Sequence, residues 1–211
     1  MRSSILWLAL IVASVPSASA QSADAQRRLM EANSQFTYEG APISPLAVQE
    51  LLSHILDSLP GPVAIDLAGT RRGDDYSNRY FATTIKTDPD GAVTIDLRDA
   101  GSRSRGDTNP GWFSYKRIGS LRNGVHVLET WDNGGGSGIF TSLLFVKFAI
   151  DDDYSQGASD AFLRRQTIVI KRVGEFTLGD RYGGKVVVRG ATVEVGADDR
   201  NRKKAVVLRM P

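Results

Sequence analysis

The spacing of apolar residues changes once along this chain, at Pro60-Gly61-Pro62, and that change restricts the fold more than any motif does. Before it, Val48, Leu51, Leu52, Ile55 and Leu59 recur at helical spacing and make one apolar stripe. Ser44 is an N-cap residue type and Pro45 suits the first helical position. The pattern predicts a helix over 44–59, with Gln49, Glu50, Ser53, His54 and Asp57 on its polar side.

After Pro62 the period is two. Val63, Ile65 and Leu67 alternate with Ala64, Asp66 and Ala68. Phe81, Thr83 and Ile85 lead into Asp88-Pro89-Asp90-Gly91, a turn sequence, and Val93, Ile95 and Leu97 alternate again. Residues 112–121 reach Asn123-Gly124, the preferred pair for a tight hairpin, and 125–131 return. Further strands are expected at 139–150, 167–173, 185–189, 192–195 and 205–210. So many short strands leave no room for alternating βαβ units. The fold class is mostly β: an antiparallel β-sandwich or barrel with one N-terminal amphipathic helix packed on it.

The first twenty residues read as an export signal. Arg2 supplies the positive start, 5–15 is an almost unbroken apolar run, and Ala18-Ser19-Ala20 is a cleavage site of small residues. The expected organisation is a signal peptide over 1–20, a flexible polar tail over 21–40 with at most one weak helical turn around Ala25 to Ala32, and a single β-rich domain over 41–211. The expected location is periplasmic or secreted. Cleavage removes one of 26 basic residues and none of the 24 acidic ones, so the mature chain would carry a net charge of +1. That balance exerts no general pull on nucleic acid or on an anionic membrane. No transmembrane segment is expected after the signal is removed.

There is no cysteine. Disulfides, a thiol nucleophile and thiolate zinc sites are thereby excluded, and stability must come from packing and backbone pairing. Only His54 and His126 exist, so a histidine-rich metal centre is excluded too. His54 reads as a solvated helix residue and His126 as a satisfied sheet histidine. No metal or other cofactor is expected. Asp151-Asp152-Asp153 lacks the spacing of a calcium loop and reads as a charged turn.

One internal echo stands out. Gly61-Pro62-Val63-Ala64-Ile65-Asp66-Leu67 matches Gly91-Ala92-Val93-Thr94-Ile95-Asp96-Leu97, which fits either a duplicated strand-and-loop unit or convergence on a common strand pattern. Arg72-Gly73-Asp74 and Arg105-Gly106-Asp107 continue the echo. Each spells a tripeptide read by adhesion receptors, but it is short enough to arise by chance in turns.

Residues 131–138 carry the strongest candidate for chemistry. Trp131-Asp132-Asn133 precedes Gly134-Gly135-Gly136-Ser137-Gly138. An indole offers a flat apolar face to a sugar ring, carboxylate and amide groups suit its hydroxyls, and glycines permit close approach. The run is neither a nucleophile elbow nor a phosphate-binding loop, because Ile139 stands where each would need another residue. The expected ligand-binding set is Trp131, Asp132, Asn133, Gly135, Gly136 and Ser137, with Trp112 as a second flat patch, although one tryptophan is expected to be a core anchor. No catalytic residue is assigned. The expected function is a non-enzymatic binding or structural module contacting a glycan or another extracytoplasmic ligand. The alternative is a hydrolase of an extracellular polymer using paired carboxylates, with Glu129 and Asp132 beside Trp131, and Glu175 and Glu194, as the available acids.

Overall fold

A computed structural model describes residues 18–52, 64–68, 84–97, 111–156, 162–201 and 203–209. Its first element is helix α1, Ala18–Gln35, which replaces most of the flexible tail expected over 21–40. The stripe that docks it is too small in volume to register as hydrophobic periodicity. Ala25, Leu29, Ala32 and Phe36 fall at i, i+4, i+7 and i+11; the alanines and Phe36 are buried, and Leu29 packs against the same core. Arg28 Nε lies 2.7 Å from Asp24, one turn back.

Phe36 closes the helix with φ of 57°, a left-handed conformation usually left to glycine. A tight hairpin follows. Strands β1 (Thr37–Tyr38) and β2 (Ala41–Pro42) are joined by Glu39 and Gly40, both at positive φ, as a type I′ turn demands. Arg28 donates to the Tyr38 hydroxyl at 2.9 Å and to the Glu39 carboxylate, which ties α1 to the hairpin. Helix α2 (Pro45–Glu50) begins where predicted, with Ser44 at the N-cap and Pro45 behind it, though the Ser44 side chain makes no capping bond. Val48, Leu51 and Leu52 are buried. The rest of the predicted helix, His54 included, falls within 53–63, outside the described residues.

Seven antiparallel strands then form one sheet curled into a half-barrel. They are β3 (Ala64–Asp66), β4 (Ile85–Thr87), β5 (Val93–Asp96), β6 (Trp112–Ser120), β7 (His126–Asn133), β8 (Phe140–Gln156) and β9 (Phe162–Asp180). Their order is β3-β9-β8-β7-β6-β5-β4. The two halves of the internal echo sit near opposite ends of this sheet. β3 is an edge strand on β9, whereas β5 lies between β4 and β6, and Ile65 and Ile95 are both buried on the same face. Both Arg-Gly-Asp tripeptides lie outside the described residues. Asp151, Asp152 and Asp153 are not a turn: they continue β8, opposite Thr167, Gln166 and Arg165 of β9.

A second sheet has the order β10-β11-β12, from Val186–Arg189, Thr192–Val195 and Val206–Arg209. Strand alternation divides the large sheet into two packed faces. Leu128, Leu144, Val146, Phe148, Ile168 and Ile170 meet α1, Phe36 and α2 on the helix face. Val127, Leu143, Phe145 and Leu178 meet Val193 and Val195 of the small sheet on the other. Gly119, at an irregularity in the β6–β7 pairing, lets the sheets approach, since a Cβ there would stand 3.3 Å from Val188.

Candidate functional site

The small sheet covers only part of its face of the half-barrel. Beyond it, register places Thr94 of β5, Ser114 of β6, Trp131 of β7 and Thr141 of β8 in one cross-strand row. Trp112 lies two residues along β6 from Ser114 and so faces the same way. The Asp88–Gly91 turn between β4 and β5 closes the far side, held by Asp88 N–H on the Ala92 carbonyl at 2.8 Å and Gly91 N–H on the Asp88 carbonyl at 2.9 Å. Together Asp88, Asp90, Ala92, Thr94, Trp112, Ser114 and Trp131 line an open cavity of about 440 Å³. Both tryptophans are half-buried, and neither belongs to either packed core.

The polar groups of this cavity are two carboxylates, two hydroxyls and two indole N–H groups. The Thr94 and Ser114 hydroxyls share a 2.9 Å hydrogen bond, and the Val93 carbonyl lies within reach of Ser114 at 3.3 Å. Asp90 accepts from Lys116 Nζ at 2.9 Å and from the Ala92 N–H at 3.2 Å, and these bonds hold its carboxyl below the usual range. Glu129 follows Trp131's face on β7 and stands across from Lys116. Burial pushes its carboxyl up, against the opposing charge of Lys116.

The residues expected at the site separate. Trp112 and Trp131 come together. Asp132 points to the helix face, where Gln49 donates to it at 3.2 Å. It therefore does not share a face with Glu129, because residues three apart on a strand point to opposite sides. Asn133 is buried and organises the loop: its amide donates to the Gly138 carbonyl at 2.9 Å and the Gly136 carbonyl at 3.2 Å, and its oxygen accepts from Gly135 N–H at 2.8 Å. Gly135 has φ of 93°. Gly135, Gly136 and Ser137 form the tip at the tryptophan end of the sheet and do not line the cavity. Gly111 packs flush under that tip, where a Cβ would stand 2.3 Å from the Asn133 carbonyl oxygen.

Asp88, Asp90, Thr94 and Ser114 were not legible as site residues. The turn sequence Asp88-Pro89-Asp90-Gly91 announces a turn, but only strand pairing brings it beside Trp112 and Trp131. The sole available signal was the i, i+2 spacing of Trp112 and Ser114.

Two other polar clusters are structural in their bonding. His126 is 1 % exposed, with Nδ1 2.9 Å from Ser120 Oγ and Nε2 3.2 Å from Asn33 Oδ1. Phe36 and Phe148 pack against its ring at 5.4 and 5.2 Å between centroids. Burial, and then the charge of Arg117, lower its pKa from 6.5 to about 4, so the neutral ring fastens α1 to the sheet and is a weak base. A pocket of about 220 Å³ between α1 and β9 is lined by Asp24, Arg28, Tyr38, Gln166 and Thr167, with Arg28 already bound by Asp24, Tyr38 and Glu39. Among the described residues, no group of three His, Asp or Glu is placed to hold a metal, and no helix is long and apolar enough to cross a membrane. No protein family, curated protein or solved structure matches this chain.

Proposed function

We propose that this protein is an exported, non-enzymatic binding module whose Trp112/Trp131 face takes an extracytoplasmic glycan. The observation that carries this reading is the convergence of two half-buried indoles with Asp88, Asp90, Thr94 and Ser114 around one open cavity. Indole faces suit the C–H side of a pyranose, and short polar side chains at their margin suit its hydroxyls. The scaffold is a sandwich-like pair of sheets that keeps the indoles, Thr94 and Ser114 on strands, with Asp88 and Asp90 on the hydrogen-bonded turn between β4 and β5, which favours a preformed site. The export signal over 1–20 and a periplasmic or secreted location belong to the same proposal.

The test is a panel of soluble oligosaccharides read by tryptophan fluorescence, with Trp112→Ala, Trp131→Ala and Gly136→Val. Loss of binding in both tryptophan variants, with folding retained, supports the reading. Unchanged binding in both overturns it. Gly136→Val asks whether the loop tip contributes, and space around Gly136 is open. Gly135 is unsuitable for that purpose, since its positive φ makes any β-branched replacement strained.

A second reading, hydrolysis of the bound polymer, is favoured by one observation. Glu129 and Asp90 lie on either side of Lys116 on this face, with their carboxyls pushed in opposite directions. An acid and a base so separated are what glycoside hydrolysis uses. Product formation from a bound oligosaccharide, lost in Glu129→Gln, would support it. Binding without turnover would leave the binding module alone.

A further inference from the structure

The charge and the hydrogen-bonding polarity of the tryptophan face narrow the ligand class. The charged side chains lining the cavity are two, Asp88 and Asp90, and both are acidic. Of the cations on this face, Lys116 is engaged by Asp90 at 2.9 Å, and Lys86, across from Thr94 on the edge strand β4, is not among the residues that line the cavity. Among the described residues Asp88 has no ion-pair partner, and it is exposed at the cavity rim. The two hydroxyls are bonded to each other at 2.9 Å, with the Val93 carbonyl 3.3 Å from Ser114 as a further acceptor. The Asp88 and Asp90 carboxylates present acceptors only.

A neutral sugar hydroxyl both donates and accepts, and the side-chain donors among the lining residues are the two hydroxyls and the two indole N–H groups. An ammonium donates three times and asks for no donor in return. Indole faces attract the same group through the ring quadrupole. Flat indoles beside the Asp88 carboxylate thus fit a single ligand that combines a pyranose C–H face with a protonated amine.

We propose that the Trp112/Trp131 face recognises a cationic amino-sugar oligosaccharide, with the ring stacked on the indoles and the ammonium held by Asp88 at the rim beside Asp90. This rests on the glycan reading above and adds to it the charge of the sugar. Asp90, kept ionised by Lys116, shapes the rim, while Asp88 supplies the uncompensated charge.

The experiment measures binding of four probes to the full chain at low ionic strength: a β-1,4-linked glucosamine tetramer, its N-acetylated counterpart, a glucose tetramer and tetralysine. The glucosamine tetramer should bind about tenfold more tightly than either neutral tetramer, the combined effect of one rim ion pair and one cation–π contact. The gap should narrow as salt is raised, because the charges are solvent-exposed. Asp88→Asn should narrow the gap about threefold, the share of the ion pair, and leave the Tm unchanged, since the backbone groups that hold the turn are retained. Neutral tetramers binding as tightly as the glucosamine tetramer would overturn the inference and leave the glycan reading standing. Failure of all three sugars would overturn both. Tetralysine binding as tightly as the glucosamine tetramer would overturn it in favour of a basic peptide as the partner.

Discussion

The two faces of the half-barrel are built from the same strands and finished in different ways. On the helix face, Phe36 packs against Tyr115, His126 and Phe148 at ring separations of 5.8, 5.4 and 5.3 Å, and α1, α2 and the β1–β2 hairpin seal the aromatics. The Tyr115 hydroxyl is buried yet satisfied, donating to the Ile43 carbonyl at 2.6 Å. On the other face, the β10–β12 sheet covers Val127, Leu143 and Phe145 and stops short of Trp131. The same alternation that fills one side with packed rings leaves two indoles half-open on the other. Aromatic residues thus serve two purposes here, and the covering layer decides which.

The largest effect that tests this contrast is truncation on the sealed face. Phe36→Ala should cost about 3–5 kcal/mol as a buried aromatic truncation, whereas Trp131→Ala, from a half-open position, should cost clearly less. Urea denaturation of the two variants compares them directly, and equal losses would erase the distinction between the faces.

Acid should act through the sealed face as well. The folded His126 pKa is lowered from 6.5 to about 4, so the unfolded chain takes up its proton first. Its contribution is complete above the unfolded pKa, is lost as pH falls from 6.5 to 4, and changes no further below that. The total loss should be on the order of 3 kcal/mol. His126→Gln should flatten this part of the stability profile, and a profile identical to that of the parent chain would show that the histidine does not fasten α1.

At the tryptophan end, Gly111→Ala should cost about 2 kcal/mol as overpacking, because the new methyl meets the Asn133 backbone rather than a movable side chain. It should also displace the 134–138 loop, which the amide resonances of Gly135 and Gly136 would report. The smallest effect has the opposite sign. Thr141, across from Trp131, is fully buried and its hydroxyl has no partner among the described residues. Thr141→Val should therefore gain about 1 kcal/mol, read as a higher Tm with ligand binding unchanged. A loss of binding there would place that hydroxyl in the site.

Strands with strong alternation and turn residues were readable from the chain. The positions of β5, β6, β7, β10, β11 and β12, and the turns at Asp88–Gly91 and Asn123-Gly124, follow from side-chain period and from residues that tolerate positive φ. Of helix α1 only a weak turn around Ala25 to Ala32 was readable, because its docking stripe is largely alanine, which shows little hydrophobic contrast yet packs closely. The lengths of β8 and β9 escaped because Asp151–Asp153 reads as a turn until the facing strand supplies partners.

Of the candidate site, the pairing of Trp112 with Trp131 was visible as a possibility of neighbouring strands. The removal of Asp132 to the helix face and the conversion of Asn133 into a loop organiser were not. A single chain read in one dimension determines which residues alternate, where the backbone can reverse and which chemistries its composition forbids. Which strand lies beside which, and which face a second layer covers, are set by contacts between residues far apart in sequence. The Asp88–Gly91 turn reaches Trp112 and Trp131 only after β5, β6 and β7 have paired. The cavity is therefore a product of register, because a one-residue slip would send every side chain of a strand to the opposite face.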